Sequence, residues 1–363
     1  MKKYSNFNAT MAIARASFRS ILRSPSAVVF SLAFPLIFIV VFANIGGSGV
    51  TVDVGVAKTT DTLSPVYQAL KGAKVVHLIT DQSADEMAKS LSKGNLDAII
   101  DVQKNNAMPP YTLHVQYTEA SQQKGGILKS LLQSIFFQIN SKGNTIPQPV
   151  AEIKETTVKG REYKYIDFIL PGMLGFSLLS SGVFGTAFVF LSLRLTLVIK
   201  RFFATPVKKY SIVLGEALAR LVFSLLGALF IILVGHYAFG FTLIHGVVTV
   251  INMLILAALG LIIFMGFGFA ISGIAKNESA VPPISNIITM PQFLLSGTFF
   301  ATTAFPNWLQ AISKVLPLTY LNDAMRKVAF EGAGLNEVTH QLLILGIWFI
   351  LIYAVAVKTF KWE

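Results

Sequence analysis

The sequence predicts a polytopic α-helical membrane protein: six transmembrane helices with a small α/β extracytoplasmic domain inserted between the first and second. Three observations carry this. Of 363 residues, 53% are hydrophobic and only 13% charged, and the mean hydropathy is +0.63, too apolar for a soluble chain of this length. Apolar runs long enough to cross a bilayer recur along the chain. One polar stretch, residues 46–164, interrupts them, with 13 Lys or Arg, 11 Asp or Glu and no long apolar run.

Residues 1–25 form the first element. Met11, Ala14, Phe18, Ile21 and Leu22 recur at spacings of three and four, while Arg15, Arg19 and Arg23 fall on another face. That pattern predicts a basic amphipathic helix in the inner interface, with membrane lipids as its partner. Residues 26–45 make the first span. They are too long for a signal-peptide core and are followed by Gly46-Gly47 without a small-residue cleavage pattern. The inserted domain occupies residues 46–166. Strands are expected at 52–57, 75–79, 96–102 and 111–117, alternating with helices at 65–70, 84–92 and 125–140, the grammar of an α/β unit. It shows no catalytic constellation, and His77 and His114 stand apart from other titratable groups in sequence.

Residues 167–363 hold five further spans: 168–193, a run centred on 221–239, 247–274, 284–300 and 342–357. In the fourth, Gly260, Gly266, Gly268 and Gly273 allow close helix approach. Basic residues in short loops stay on the cytoplasmic side. Six spans therefore place both termini there and residues 46–166 outside.

Two segments stand out for function. The cytoplasmic loop 194–212 contains Lys200, Arg201, Phe202, Phe203, Ala204, Thr205 and Pro206, flanked by Lys208, Lys209, Arg194 and Arg220, with Glu216 as the nearby acid. Adjacent aromatics on a charged loop bounded by proline suggest a docking surface; the plainer reading is that the charges set topology and the rings face lipid. The outer segment 301–326 follows Phe293-Leu294-Leu295-Ser296-Gly297-Thr298-Phe299-Phe300. It is too apolar for a solvated loop and too broken, at Pro306 and Pro317, to span. Re-entrant half-helices forming an outer gate are expected, with Gly297, Phe300, Pro306, Trp308, Pro317, Tyr320 and Arg326 as its residues. Arg326 should pair with an acid such as Asp323 or Glu331, or face water.

Several classes are disfavoured. The net charge of +12 is concentrated in short cytoplasmic segments, where topology and anionic lipid account for it without nucleic acid. With no cysteine there is no disulfide, thiolate metal site or thiol nucleophile. The notable polar groups of the spans are Asn252, Asn286, Gln292 and His236, without paired carboxylates or an H-E-x-x-H motif, so a membrane-embedded enzyme is the weakest reading. An ATP-independent transporter or a membrane-anchored binding module stands as the alternative, without the inverted repeats or midplane charges such transporters carry.

These residues together resemble the membrane subunits of type-2 ABC exporter permeases. The resemblance covers essentially the whole chain. It rests on Pro171-Gly172-Met173 opening the second span, on Lys200 through Pro206, and on Phe293 through Gly297, Phe299-Phe300, Pro306, Trp308, Leu316-Pro317-Leu318-Thr319-Tyr320 and Arg326. Two places depart from the family pattern. Leu193-Arg194-Leu195-Thr196-Leu197-Val198 stands where an acidic, glycine-containing run is common, and Ala301 replaces a frequent proline. The resemblance implies a permease without enzymatic activity of its own, paired with a second permease in a homo- or heterodimer. Each would dock an ABC ATPase subunit through residues 200–206. The chain lacks a G-x-x-x-x-G-K-[ST] phosphate loop, so it binds no cofactor itself, and ATP and Mg belong to the ATPase. Drugs, lipids and similar hydrophobic or amphipathic molecules are the implied cargo, exported from the cytoplasm or inner leaflet.

Overall fold

The computed structural model describes residues 5–45, 52–73, 75–92, 95–105, 108–141, 151–158, 164–198 and 205–360. The chain divides into two compact units, Met1–Gly46 with Tyr165–Glu363, and Gly47–Lys164.

The larger unit is a helical bundle. α1 (Asn6–Leu22) starts at Ser5, whose side chain accepts the Asn8 amide. α2 (Pro25–Ile45) follows, with Pro35 inside it. After the helices of the second unit come α6 (Tyr165–Leu195), α7 (Lys209–Phe239), α8 (Val247–Ile274), α9 (Val281–Leu295), α10 (Asn307–Ser313), α11 (Pro317–Arg326) and α12 (Thr339–Thr359). Among the described residues, α6, α7, α8 and α12 are long and apolar enough to cross a membrane. α8 is the centre of the bundle: seventeen of its residues are buried, from Thr249 to Gly273. Its glycines are contact points. A side chain at Gly260 would strike Leu321, one at Gly266 would strike Ile352, and one at Gly273 would lie 2.2 Å from the Thr359 carbonyl. Helices meet this closely in lipid because small residues let backbones approach.

In the region of the expected fifth span, 284–300, the helix has other bounds. α9 begins at Val281 and stops at Leu295, because Gly297 takes φ +70° and turns the chain away. Fifteen residues rise about 22 Å, short of a hydrocarbon core of about 30 Å. The segment after it also divides differently from the expected re-entrant stretch. α10 leaves Trp308 68% exposed, whereas α11 buries Pro317, Leu318, Leu321, Asn322, Ala324 and Met325.

The second unit is a five-stranded mixed sheet in the order β2-β1-β3-β4-β5. The strands are β1 (Val52–Val56), β2 (Val76–Ile79), β3 (Ala98–Lys104), β4 (Tyr111–Thr118) and β5 (Ala151–Val158). β1 runs parallel to β2 and β3, β4 antiparallel to β3, and β5 parallel to β4. α3 (Pro65–Gly72) and α5 (Gln122–Ser141) cover one core of Val54, Ile100, Leu113, Leu128 and Leu132. α4 (Ala84–Ser92) closes a smaller one through Met87, Leu91 and Leu96. Ser83 and Glu86 form a capping box before α4. The Ser83 amide donates to Glu86 Oε2 at 2.8 Å and the Glu86 amide to Ser83 Oγ at 3.4 Å, and this holds the Glu86 carboxyl below its ordinary range. β5 lies outside the strands read from the sequence: Ala151-Glu-Ile-Lys-Glu-Thr-Thr-Val is an edge strand with charge on both faces and no apolar alternation. His77 also has a neighbour. Its register partner across the β1–β2 ladder is Asp53, with Nδ1 2.9 Å from Asp53 Oδ1.

Candidate functional site

At one end of the bundle Gly297, of the expected gate residues, meets Arg326. The guanidinium lies 3.7 Å from the centroid of the Phe168 ring. Nε and Nη2 donate to the Phe168 carbonyl at 3.1 and 3.0 Å, and Nη2 also donates to the Gly297 carbonyl. Carbonyl oxygens of a broken backbone are thus among its partners. Asp323 accepts from Lys327 Nζ at 3.2 Å and Gln341 Nε2 at 2.6 Å. A side chain at Gly172 would come 2.7 Å from the Thr298 carbonyl and 3.2 Å from Arg326 Nη2. The Pro171-Gly172 pair is therefore the seat on which the Gly297 turn rests.

One turn deeper, Asn322 is fully buried. Its Nδ2 donates to the Ser296 carbonyl at 3.1 Å and to Thr298 Oγ1 at 3.3 Å, while its Oδ1 has no hydrogen-bond partner among the described residues. The Leu318 amide, at the start of α11, donates to Gln292 Oε1. Tyr165 Oη donates to the Phe299 carbonyl at 2.9 Å. Side chains from α6, α9 and α11 in this way take up polar groups that the missing helix ladder leaves open, as non-helical backbone at membrane depth demands. Beside them is a chain of rings: Phe34, Phe176 and Phe293, then Phe299, with centroid spacings of 5.6, 4.1 and 4.8 Å.

The other expected gate residues are more peripheral. Pro306 ends the turn before α10 and its carbonyl accepts from Leu309 and Gln310. Phe300 is 56% exposed. Pro317 occupies the first turn of α11, where its missing N–H costs nothing. Tyr320 Oη donates to the Lys314 carbonyl at 2.6 Å, joining α11 back to the end of α10.

At the opposite end, Arg194 Nη2 donates to the Ala275 carbonyl. The run Leu193 through Val198, which replaces the family's acidic stretch, thereby fastens α6 to the end of α8. Leu195 and Leu197 are left half-exposed, with Leu197 at φ +57°. Thr205 and Pro206 are exposed. Lys200, Arg201, Phe202 and Phe203 lie outside the described residues.

The feature that sequence reasoning missed is inside the bundle. α6 contains a π-helical segment, Ser181–Gly185, and Arg220 of α7, read from the sequence as a flanking loop charge, is buried against it. Its Nη1 donates to the Ser181 carbonyl at 3.3 Å and Nη2 to the Gly185 carbonyl at 2.8 Å. Gly185 makes the space, since a Cβ there would fall 1.8 Å from Arg220 Nη1. The signal that could have found it is Glu216 four residues before Arg220 on one long helix. Glu216 accepts from Ser17 Oγ of α1, and Gly215 lets α1 lie against α7, with a Cβ there only 2.7 Å from Ile13 Cγ2. Ala14, on that docking face, is buried, while Arg15, Arg19 and Arg23 are exposed.

Long apolar helices sealed by side chain to carbonyl hydrogen bonds define an integral membrane protein with broken helices in its bundle. Residues 25–358 match the model of the ABC-2 family transporter proteins. The chain belongs to that family, the membrane components of ABC transporters. It is 24% identical over 371 residues to ABC transporter G family member 20 of Dictyostelium discoideum, covering 96% of this chain and 50% of that protein. It is 22% identical over 201 residues to the inner membrane transport permease YadH of Escherichia coli (strain K12), covering 55% of this chain and 75% of that one. To the probable multidrug ABC transporter permease YbhR of the same strain it is 22% identical over 138 residues, 38% of this chain and 37% of the other. The chain thus spans half the length of the amoebal relative.

Proposed function

We propose that this chain is the permease subunit of an ATP-driven exporter. It would move a hydrophobic or amphipathic molecule out of the cytoplasm or inner leaflet, with energy from a separate ABC ATPase docked at residues 200–206. The observation that carries this reading is the broken passage from α9 through the Gly297 turn to α11, held by Arg326, Asn322 and Tyr165. Discontinuous helices of this kind mark transport paths, because irregular backbone at membrane depth survives only where protein or a cavity surrounds it. In this reading α2, α6, α7, α8, α9 and α12 are six spans, with α9 continued by the turn and α11. The Arg326 end and residues 46–166 face outward, and the Arg194 end and both termini face the cytoplasm of a bacterial inner membrane. Two permeases pair, and α1 lies in the inner interface with Arg15, Arg19 and Arg23 toward lipid headgroups. The row of phenylalanine rings beside the turn suits an apolar cargo.

The test is reconstitution. The chain is expressed with a P-loop ATPase encoded beside it, co-purified, and placed in vesicles. ATP-dependent movement of a fluorescent lipid or drug, lost in the Phe202→Ala, Phe203→Ala double variant together with ATPase capture, is the expected result. Normal capture and transport by that variant would reduce the loop to a topology signal.

A further inference from the structure

We infer that α6 is a two-register helix: its π segment, Ser181–Gly185, can close to α-helix, and Arg220 is the latch that holds it open. Four observations meet here. A π turn carries one more residue than an α turn. Arg220 donates to two carbonyls of this segment, those of Ser181 and Gly185. In an apolar span donors are scarce, so these two hydrogen bonds tie the π state to the guanidinium. Second, Gly185 is the seat of that guanidinium, with no room for even a methyl group.

Third, the segment runs along glycine on its other side. A Cβ at Gly182 would lie 2.6 Å from Phe264 Cβ, and one at Gly268 would lie 2.7 and 2.8 Å from the Val183 and Gly182 carbonyls. The atom nearest the Gly268 position is Thr186 Cβ, at 2.6 Å, so the segment and the first residue after it lie directly on the α8 backbone. Fourth, a cavity with about 10 Å³ of room for a water-sized sphere adjoins the segment. It is lined by Ser177, Ser181, Ser224, Phe223 and Gly227, among others. Ser181 Oγ and Ser224 Oγ face each other at 3.0 Å across the same seam. A tightly packed interior resists a register change, and this seam has slack where one is needed.

Closing the π turn removes one residue from it, so the remainder of α6 turns by about 100° and shifts by about 1.5 Å. That remainder, Thr186–Leu195, ends in Arg194 and leads directly to residues 199–206. Arg220 is in turn placed by α7, whose preceding turn holds α1 through Gly215 and Glu216. The latch therefore stands between α1 and the lower half of α6. On the transport reading above, the register change carries movement of the docking loop into the bundle. The register itself can be read without any ATPase, so failure of one idea is distinguishable from failure of the other.

The test uses the natural absence of cysteine. Single cysteines are placed at Ala187 through Leu195 of the full chain in lipid nanodiscs, and their reaction with a small thiol reagent is timed. In the wild-type background Leu191→Cys should be protected and Leu195→Cys reactive, as Leu191 is fully buried and Leu195 47% exposed. The scan is repeated in two backgrounds. Arg220→Lys keeps the charge but cannot reach both carbonyls, and Gly185→Ala keeps the arginine but denies its seat. Both should displace the protection pattern by one position in the same direction, with Leu191→Cys reacting severalfold faster. Where one background fails to fold, the other alone decides. An unchanged pattern in a folded variant, opposite displacements, or loss of folded protein in both would overturn the latch and leave Arg220 a structural support.

Discussion

Gly175 leaves no room for a side chain. A Cβ there would lie 2.2 Å from Asn322 Oδ1 and 2.9 Å from Leu318 Cδ1. Gly175→Ala should therefore destabilise the bundle by about 1–3 kcal/mol, as overpacking does. Asn322→Ala removes the obstructing amide and should recover a large part of that loss in the double variant, measured as a coupling energy from thermal unfolding in detergent. Additive effects would show that Asn322 does not fill the space above Gly175. Single residues were unevenly legible in the sequence. Pro306 and Pro317 announce breaks, because proline acts through local backbone geometry alone. Arg220 did not announce its role. A buried arginine and a loop arginine are identical letters, and the π turn that gives Arg220 its partners has no composition of its own.

At the scale of elements, α1 is anchored at Gly215 and by the Ser17–Glu216 hydrogen bond. Gly215→Val should push α1 off α7 and speed tryptic cleavage at Arg15 and Arg19, since segments with few contacts open first. Cleavage unchanged from wild type would mean that the anchor lies elsewhere. In the sheet unit, Asp97 is buried while accepting from the Asp53 amide at 2.8 Å and from Lys124 Nζ at 3.1 Å. Burial holds its carboxyl above the ordinary carboxylate range, and Lys124 offsets only part of this. The folded chain thus binds that proton more tightly than the unfolded chain. The stability it contributes is greatest below the ordinary carboxylate pKa and is lost as pH rises through the folded-state value. Hydrogen-exchange protection in β1 and β3, taken relative to the intrinsic rate at each pH, should fall over that interval, and Asp97→Asn should abolish the fall. α8 was read to the residue because an unbroken apolar run of that length marks a span whatever face it buries. The end of α9 was not, because Ser296 and Thr298 are compatible with a continuing apolar helix until Gly297 is seen at positive φ.

At the scale of the whole molecule, topology is the first prediction to check. Leu63 and Lys208 are both exposed. Cysteines at these positions should react with an impermeant reagent on intact cells at 63 and only after lysis at 208; the reverse would invert the proposed orientation. The docking prediction has a magnitude as well. Buried aromatic anchors cost about 2 kcal/mol or more on truncation, so Phe202→Ala with Phe203→Ala should weaken ATPase capture by roughly thirtyfold or more, with insertion unchanged.

The register of the sheet carries a consequence of another kind. Val54, Ala98, Tyr117 and Thr157 stand abreast across four strands, so the strand by which the chain enters the sheet unit and the strand by which it leaves are three ladder steps apart, about 14 Å at about 4.8 Å each. About five extended residues cover that distance. A module whose two ends sit this close can be gained or lost in a single genetic event without stretching its host, and family members of different length are what such an event would leave behind. A chain with residues 52–158 excised retains twelve residues, 46–51 and 159–164, across the join, and should still insert and fold its spans.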